Sequence, residues 1–331
     1  MEKERISYID YTKGYGILLI VLAHVAQYFS ACSSLVGYVI SYHVSIFFIV
    51  SGVLGAYKTD GIVPWRVFLQ KKIRTLMIPY IWFSLFNSIL KLSVLAGTHQ
   101  LTETAFYTEM MELFITGNGT VWFLLTLFGA EVLYRLVIGV FKEMQIVILA
   151  VICAGISFIV GEIESPVMVV LLRISVAFSL YVSGIVFGKY VLRKYNPTIF
   201  YGIILLFLGI LSYWKMGSEY SFFSGTFKDP MASLSAIFLN SFGCIIIFKN
   251  IDKNIVFWKY IGENSLIIML VHPTILLFYT YPAKGMFELL PFITQWMVSS
   301  SIFISIVLLE IPFIQLINHK FPFLIGKKYK I

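Results

Sequence analysis

Apolar residues run unbroken through most of this chain, and polar positions gather between the runs instead of alternating within them. Residues 17–25 hold eight apolar side chains and one histidine, His24. A transmembrane strand would alternate lipid-facing and lumen-facing positions, so a barrel is excluded. Runs of about 20 residues predict membrane-crossing helices. Ten are predicted, at about 14–31, 38–57, 77–97, 119–140, 145–160, 167–187, 199–214, 231–249, 262–281 and 292–316. The fold class is an all-α polytopic membrane protein of about ten transmembrane helices. It reads as a single membrane-embedded domain over residues 1–331, with no soluble extension, internal repeat or linker.

Composition narrows the class. Of the 331 residues, 59% are hydrophobic and 13% charged, whereas a soluble domain is about one quarter charged. A soluble enzyme is excluded, and so is disorder. The net charge of +8 need not mean nucleic acid, because cytoplasmic loops collect Lys and Arg. With the N-terminus inside, 20 of the 25 Lys and Arg fall on inner segments or inner span ends. Lys215, Lys228 and Lys284 lie outside, and Lys91 and Arg173 lie near outer span ends. Both termini are therefore expected to be cytoplasmic.

A cleaved signal peptide competes for the first 30 residues, and Ser30-Ala31-Cys32 resembles a weak lipoprotein cleavage site. Glu2, Glu4 and Asp10 spoil its basic leader, and His24 and Gln27 interrupt its apolar run. Cys32, Cys153 and Cys244 show neither metal spacing nor a disulfide framework.

Polar groups inside spans are costly and need a reason. His24, His43 and His272 are three of only five histidines, and all fall within predicted spans. His24 is expected about ten residues into the first span, roughly 15 Å deep. Lys13 and His24 are 11 residues apart, about three helical turns, so they share a face. Asp10 precedes Lys13 by three and can pair with it. Between the second and third spans, Lys58, Arg66, Lys71, Lys72 and Arg74 form the most basic inner loop. On a helix Lys71 and Arg74 would share a face able to hold phosphates, although positive-inside topology also explains their sign. Glu131 is expected to pair internally with Arg135. Glu310 has no local partner. Trp122 reads equally well as an interfacial belt residue.

Five segments, in order, resemble the integral-membrane acyltransferase-3 family, in particular its fucose O-acetylase-like, polysaccharide O-acetyltransferase branch. The first is Asp10, then Lys13, ten residues and His24. The second is Tyr42-His43 with Ser45, Phe47-Phe48 and Ser51-Gly52, with Ser45 where many members carry Pro. The third is Lys71-Lys72-Ile73-Arg74 followed by Pro79-Tyr80, with Lys71 replacing the commoner Arg. The fourth is Val121-Trp122-Phe123-Leu124. The fifth is Ile261-Gly262-Glu263-Asn264-Ser265-Leu266, ending at His272.

The resemblance implies a membrane acyltransferase that moves an acetyl or other short acyl group from cytoplasmic acyl-CoA to a hydroxyl of an extracytoplasmic glycan or lipid-linked sugar. It implies no metal, acetyl-CoA as co-substrate, contact with membrane lipids and a place in the inner membrane of a bacterium. Carried over residue by residue, His24 and Asp10 are the catalytic candidates. Lys13, Lys71, Lys72 and Arg74 are candidates for the donor, and His43, Ser51, Trp122, Glu131 and His272 for the acceptor. The chemistry agrees: a sugar hydroxyl is a poor nucleophile, and an imidazole can take its proton or itself become acylated. A transporter or flippase for a glycan or lipid precursor would also place His and Glu within the membrane, but transporters often carry internal repeats. A membrane sensor would not need the Lys13–His24 arrangement.

Overall fold

A computed structural model describes residues 6–57, 63–159, 165–216, 220–222, 226–227, 230–251, 253–280 and 285–327. Lys3, Arg5, Lys58, Lys228, Lys284, Lys328 and Lys330, which carry part of the charge bias, lie outside the described residues. Helices stand at each of the ten predicted positions. Seven are long and apolar enough to cross a membrane, or eight if one bent pair counts as a single span. Two of the predicted ten fall short: α7 (Trp122–Val137) has 16 residues and α8 (Glu143–Ile159) has 17. At 1.5 Å per residue they reach about 24–26 Å, less than a hydrocarbon core of about 30 Å.

The described chain groups into two compact units. The first comprises Met1–Thr59, Leu180–Phe222 and Thr226–Ile314; the second comprises Asp60–Ser179, Phe223–Gly225 and Gln315–Ile331. Neither is a continuous stretch of sequence.

In the first unit, α1 runs from Ser7 to Ala26, starting seven residues earlier than its apolar run predicts. Ile9 and Tyr11, at 2% and 1% exposure, are buried on this extension, so packing carries the helix past Asp10 and Lys13. The second predicted span is broken into α2 (Ser33–Ile40) and α3 (Ser45–Ala56). At Gly52 of α3 a side chain would overlap the backbone carbonyl of Tyr181. This glycine lets α3 lie directly on the end of α9 (Pro166–Val186). A π-helical turn, Phe187–Tyr195, follows. Then come α10 (Ile199–Met216), a two-residue ribbon of β1 (Tyr220–Ser221) and β2 (Thr226–Phe227), and α11 (Pro230–Lys249). Phe200, Phe207 and Trp214 stand seven residues apart on α10 and are 60–67% exposed. A stripe of aromatics turned outward is the lipid-facing side of a membrane helix.

The first unit closes with α12 (Val256–Glu263), α13 (Ser265–Thr280) and α14 (Phe292–Lys320), the last of which runs on into the second unit. The bend between α12 and α13 is 76°. It falls at Asn264, whose φ of −108° and ψ of 10° are not helical. Gly262 lies so close to α1 that a Cβ there would overlap the Asp10 carbonyl, and a Cβ on Gly14 would come within 2.8 Å of the Trp258 carbonyl. The two helices touch backbone to backbone.

In the second unit, the basic segment expected as a loop is helical. The segments α4 (Trp65–Lys72), a π-helical turn (Ile73–Met77) and α5 (Ile78–Gly97) form one helix of 33 residues. Pro79 has no amide hydrogen, and the wider turn just before it absorbs that loss. Beyond α5, Thr102 caps α6 (Glu103–Met111), its hydroxyl accepting from the Ala105 amide at 3.1 Å. A second π-helical turn, Glu112–Thr116, leads to α7. The 3₁₀ turn Pro322–Ile325 packs on α5, with the Phe323 and Trp82 rings 5.9 Å apart and edge-on.

Candidate functional site

His24 sits in the last turn of α1, not partway along a span, because the helix starts earlier and ends at Ala26. Its Nδ1 lies 3.0 Å from Nε2 of His272. The two rings are tilted at 40° with centroids 5.0 Å apart. His272 Nδ1 in turn meets the Ile268 carbonyl at 2.7 Å. Pro273, the next residue, removes an amide donor from this turn of α13. His272 is 1% exposed, while His24 is only partly buried, so His24 is the more accessible ring of the two.

The order of residues in the fifth segment has a physical basis. Gly262 admits α12 against Asp10, Asn264 turns the chain, and α13 then delivers His272 to His24. The first and fifth segments meet at both ends of α1.

His43 occupies the break between α2 and α3, with Nδ1 3.2 Å from the Ile40 carbonyl. It lies within electrostatic range of His24. Next to it, the Tyr42 hydroxyl hydrogen-bonds the Tyr15 hydroxyl at 2.8 Å. Among the described residues no group of His, Cys, Asp and Glu is arranged to hold a metal ion, and all three cysteines are free. Lys13 and His24 share one continuous helix, as their spacing requires. Asp10 is buried at the far end of the same helix, 14 residues from His24, or about 21 Å along the axis. The two do not meet. Ser51 is partly buried on α3.

The second unit holds the basic segment. Lys71 and Arg74 are exposed. Lys72 is not: its ammonium pairs with Glu131 of α7, the two side chains being 14% and 6% exposed. This corrects the expected Glu131–Arg135 pair. The π-helical turn packs against α7 and brings Lys72 to the carboxylate. Arg135 instead donates to the Val63 carbonyl at 2.8 Å and lies 5.6 Å from the centre of the Trp65 ring. Trp122 is buried at the start of α7, with the Arg173 guanidinium 5.0 Å from its ring centre. Arg173 also donates to the Thr116 carbonyl at 3.0 Å.

Two further charged groups are buried here, Arg173 and Glu109. Arg173, at 3% exposure, reads from sequence as a topological charge. The signal that could have found it is its position inside an apolar run. Glu109 falls in an apparent outer loop and gives no signal. It is fully buried, accepting from Ser88 at 2.8 Å and Asn118 at 3.0 Å and pairing with Lys91 at 2.6 Å. Burial pushes its pKa up, but the hydrogen bonds from Lys91, Asn118 and Ser88 outweigh this and hold it below the usual carboxylate value.

A family model described as an acyltransferase domain matches residues 6–314, nearly the whole chain. No curated protein and no solved structure matches it. The chain belongs to the acyltransferase-3 family and is a multi-pass membrane acyltransferase.

Proposed function

We propose that this enzyme transfers an acetyl or other short acyl group from cytoplasmic acyl-CoA to a hydroxyl of an extracytoplasmic glycan or lipid-linked sugar, in the inner membrane of a bacterium and with both termini cytoplasmic. The observation that carries the reading is the partly exposed His24 held by a shielded partner in a chain of this family. His24 takes the proton of the acceptor hydroxyl as its oxygen bonds to the thioester carbonyl carbon. The carbon–sulfur bond then breaks, and the departing CoA sulfur recovers that proton from the imidazolium. Atoms and charge balance without a metal.

On the donor side, Lys71 and Arg74 are the exposed cations suited to phosphates. Lys72 serves mainly to neutralise Glu131. Lys13 and Asp10 belong to the opposite end of α1 from the transfer step. The family resemblance assigns His43, Ser51 and Trp122 to the acceptor, although His43 and Trp122 are both buried.

The test is equilibrium binding of radiolabelled acetyl-CoA to the purified protein, followed by label transfer to glycans in membranes of the producing cell. Saturable binding and His24-dependent, base-labile label are expected. Absence of binding to both acetyl-CoA and succinyl-CoA would overturn the proposal.

A further inference from the structure

The histidine pair constrains more than distance. A backbone carbonyl only accepts, so His272 Nδ1, 2.7 Å from the Ile268 oxygen, carries a hydrogen. With both rings neutral, His272 Nε2 is then a bare lone pair. The atom facing it at 3.0 Å, His24 Nδ1, must be the donor, which leaves His24 Nε2 as the unprotonated nitrogen. One carbonyl therefore sets the protons of both rings.

We propose that His272 is a positioning residue that locks His24 in the Nδ1–H tautomer, so that Nε2 is the nitrogen receiving the acceptor's proton. The inference deepens the reading of His24 as the base and rests on it. It departs from an acceptor-binding role for His272, whose full burial keeps it from substrate. The lock is itself held by scaffold residues: Gly262 and Asn264 set the course of α13.

When His24 gains the acceptor's proton at Nε2, its positive charge is shared with Nδ1–H, whose hydrogen bond to His272 strengthens. The same contact thus orients the neutral base and stabilises the cation. In serine hydrolases a carboxylate does this for histidine; here a second imidazole does so without adding negative charge.

The test uses the full chain in lipid nanodiscs with 15N-labelled histidine. Nitrogen shifts distinguish protonated from bare ring nitrogens, and His24 is assigned by the signal lost in His24→Gln. The wild type should show protonated Nδ1 and bare Nε2 for neutral His24. The reverse assignment overturns the proposal.

His272→Met, which cannot accept strongly, should give a tautomer mixture and a kcat about 10–100-fold lower at similar KM, as for other residues that orient a functional ligand. The transfer measured is label from acetyl-CoA into glycans of the producing cell's membranes. His272→Gln offers a carbonyl oxygen to Nδ1–H, and should keep the tautomer and lose less kcat than Met. Equal loss in both, with the tautomer unchanged, overturns the lock. If the Met variant fails to fold, the wild-type spectrum and the Gln variant still decide. Full transfer by His24→Ala would instead sink the catalytic reading, while the spectrum would still report the lock.

Discussion

His24 and His272 are 248 residues apart in sequence and 3.0 Å apart in space, the first partly buried and the second shielded. On the proposed reading of His24 as the base, its orientation depends on packing between α1 and α13 and not on a buried carboxylate. In apolar surroundings that choice avoids the desolvation cost of a fixed charge.

His24→Ala should fold and insert like the wild type and bind acetyl-CoA equally well. Transfer should fall by about 10²–10⁴-fold, the range for loss of a general base. His24→Gln should fail alike, since an amide cannot cycle a proton. Turnover near the wild-type rate in a folded variant would shift the role to His43.

Arg74→Ala should weaken acetyl-CoA binding by about 1.5–3 kcal/mol if one charged hydrogen bond to phosphate is lost. Lys71→Ala should act in the same direction. Equilibrium binding decides, and unchanged affinity in both variants reduces the segment to a topology signal.

Glu131→Gln strands the shielded Lys72 ammonium, and breaking a buried pair typically costs about 3–5 kcal/mol. Lys72→Met combined with Glu131→Leu should recover most of that stability in denaturant unfolding. Acetyl-CoA binding by the double variant separates a structural lysine from a phosphate ligand: retained affinity assigns the pair to the fold alone.

The buried Glu109 makes stability fall in acid. Its folded pKa is depressed, so its contribution is complete above the unfolded value of about 4.3 and is lost as pH falls through the lower folded value. Melting temperature should be insensitive to pH near neutrality on this account and drop below about pH 4.3. Glu109→Gln should flatten part of that drop, and an unchanged acid limb would assign it to other groups.

Gly262→Ala places a methyl against the Asp10 carbonyl, backbone that cannot swing aside. Stability should fall by about 1–3 kcal/mol, as for overpacked sites. Transfer should fall as well, because His272 follows on the displaced chain. Gly155→Ala, where a Cβ would meet nothing within 4 Å, is the control. It should be neutral or slightly stabilising, by up to about 1 kcal/mol in a helix interior.

Much of the site is legible in the amino-acid sequence. Lys13 and His24 belong to one helix face because 11 residues close about three turns, a property of one helix alone. The segment 71–74 is recognisable by composition, and the family by five short stretches in order. The partner of Glu131 is not legible: two cations are available, and local spacing favours Arg135, whereas packing of the π-helical turn on α7 supplies Lys72. Glu109 is equally hidden, since a carboxylate between two spans looks the same whether it faces water or Ser88, Lys91 and Asn118.

By itself the sequence determined that this is a helical membrane protein, where its helices fall, and which residues could carry charge or protons. These are properties of period and composition, written within about 20 residues at a time. Tertiary structure alone decided where helices start and break, that Asp10 joins the same helix as His24, and that His272 is the neighbour of His24. Those outcomes depend on how distant helices dock, and docking is set by close backbone approaches such as Gly262 on Asp10, whose partners no local pattern names.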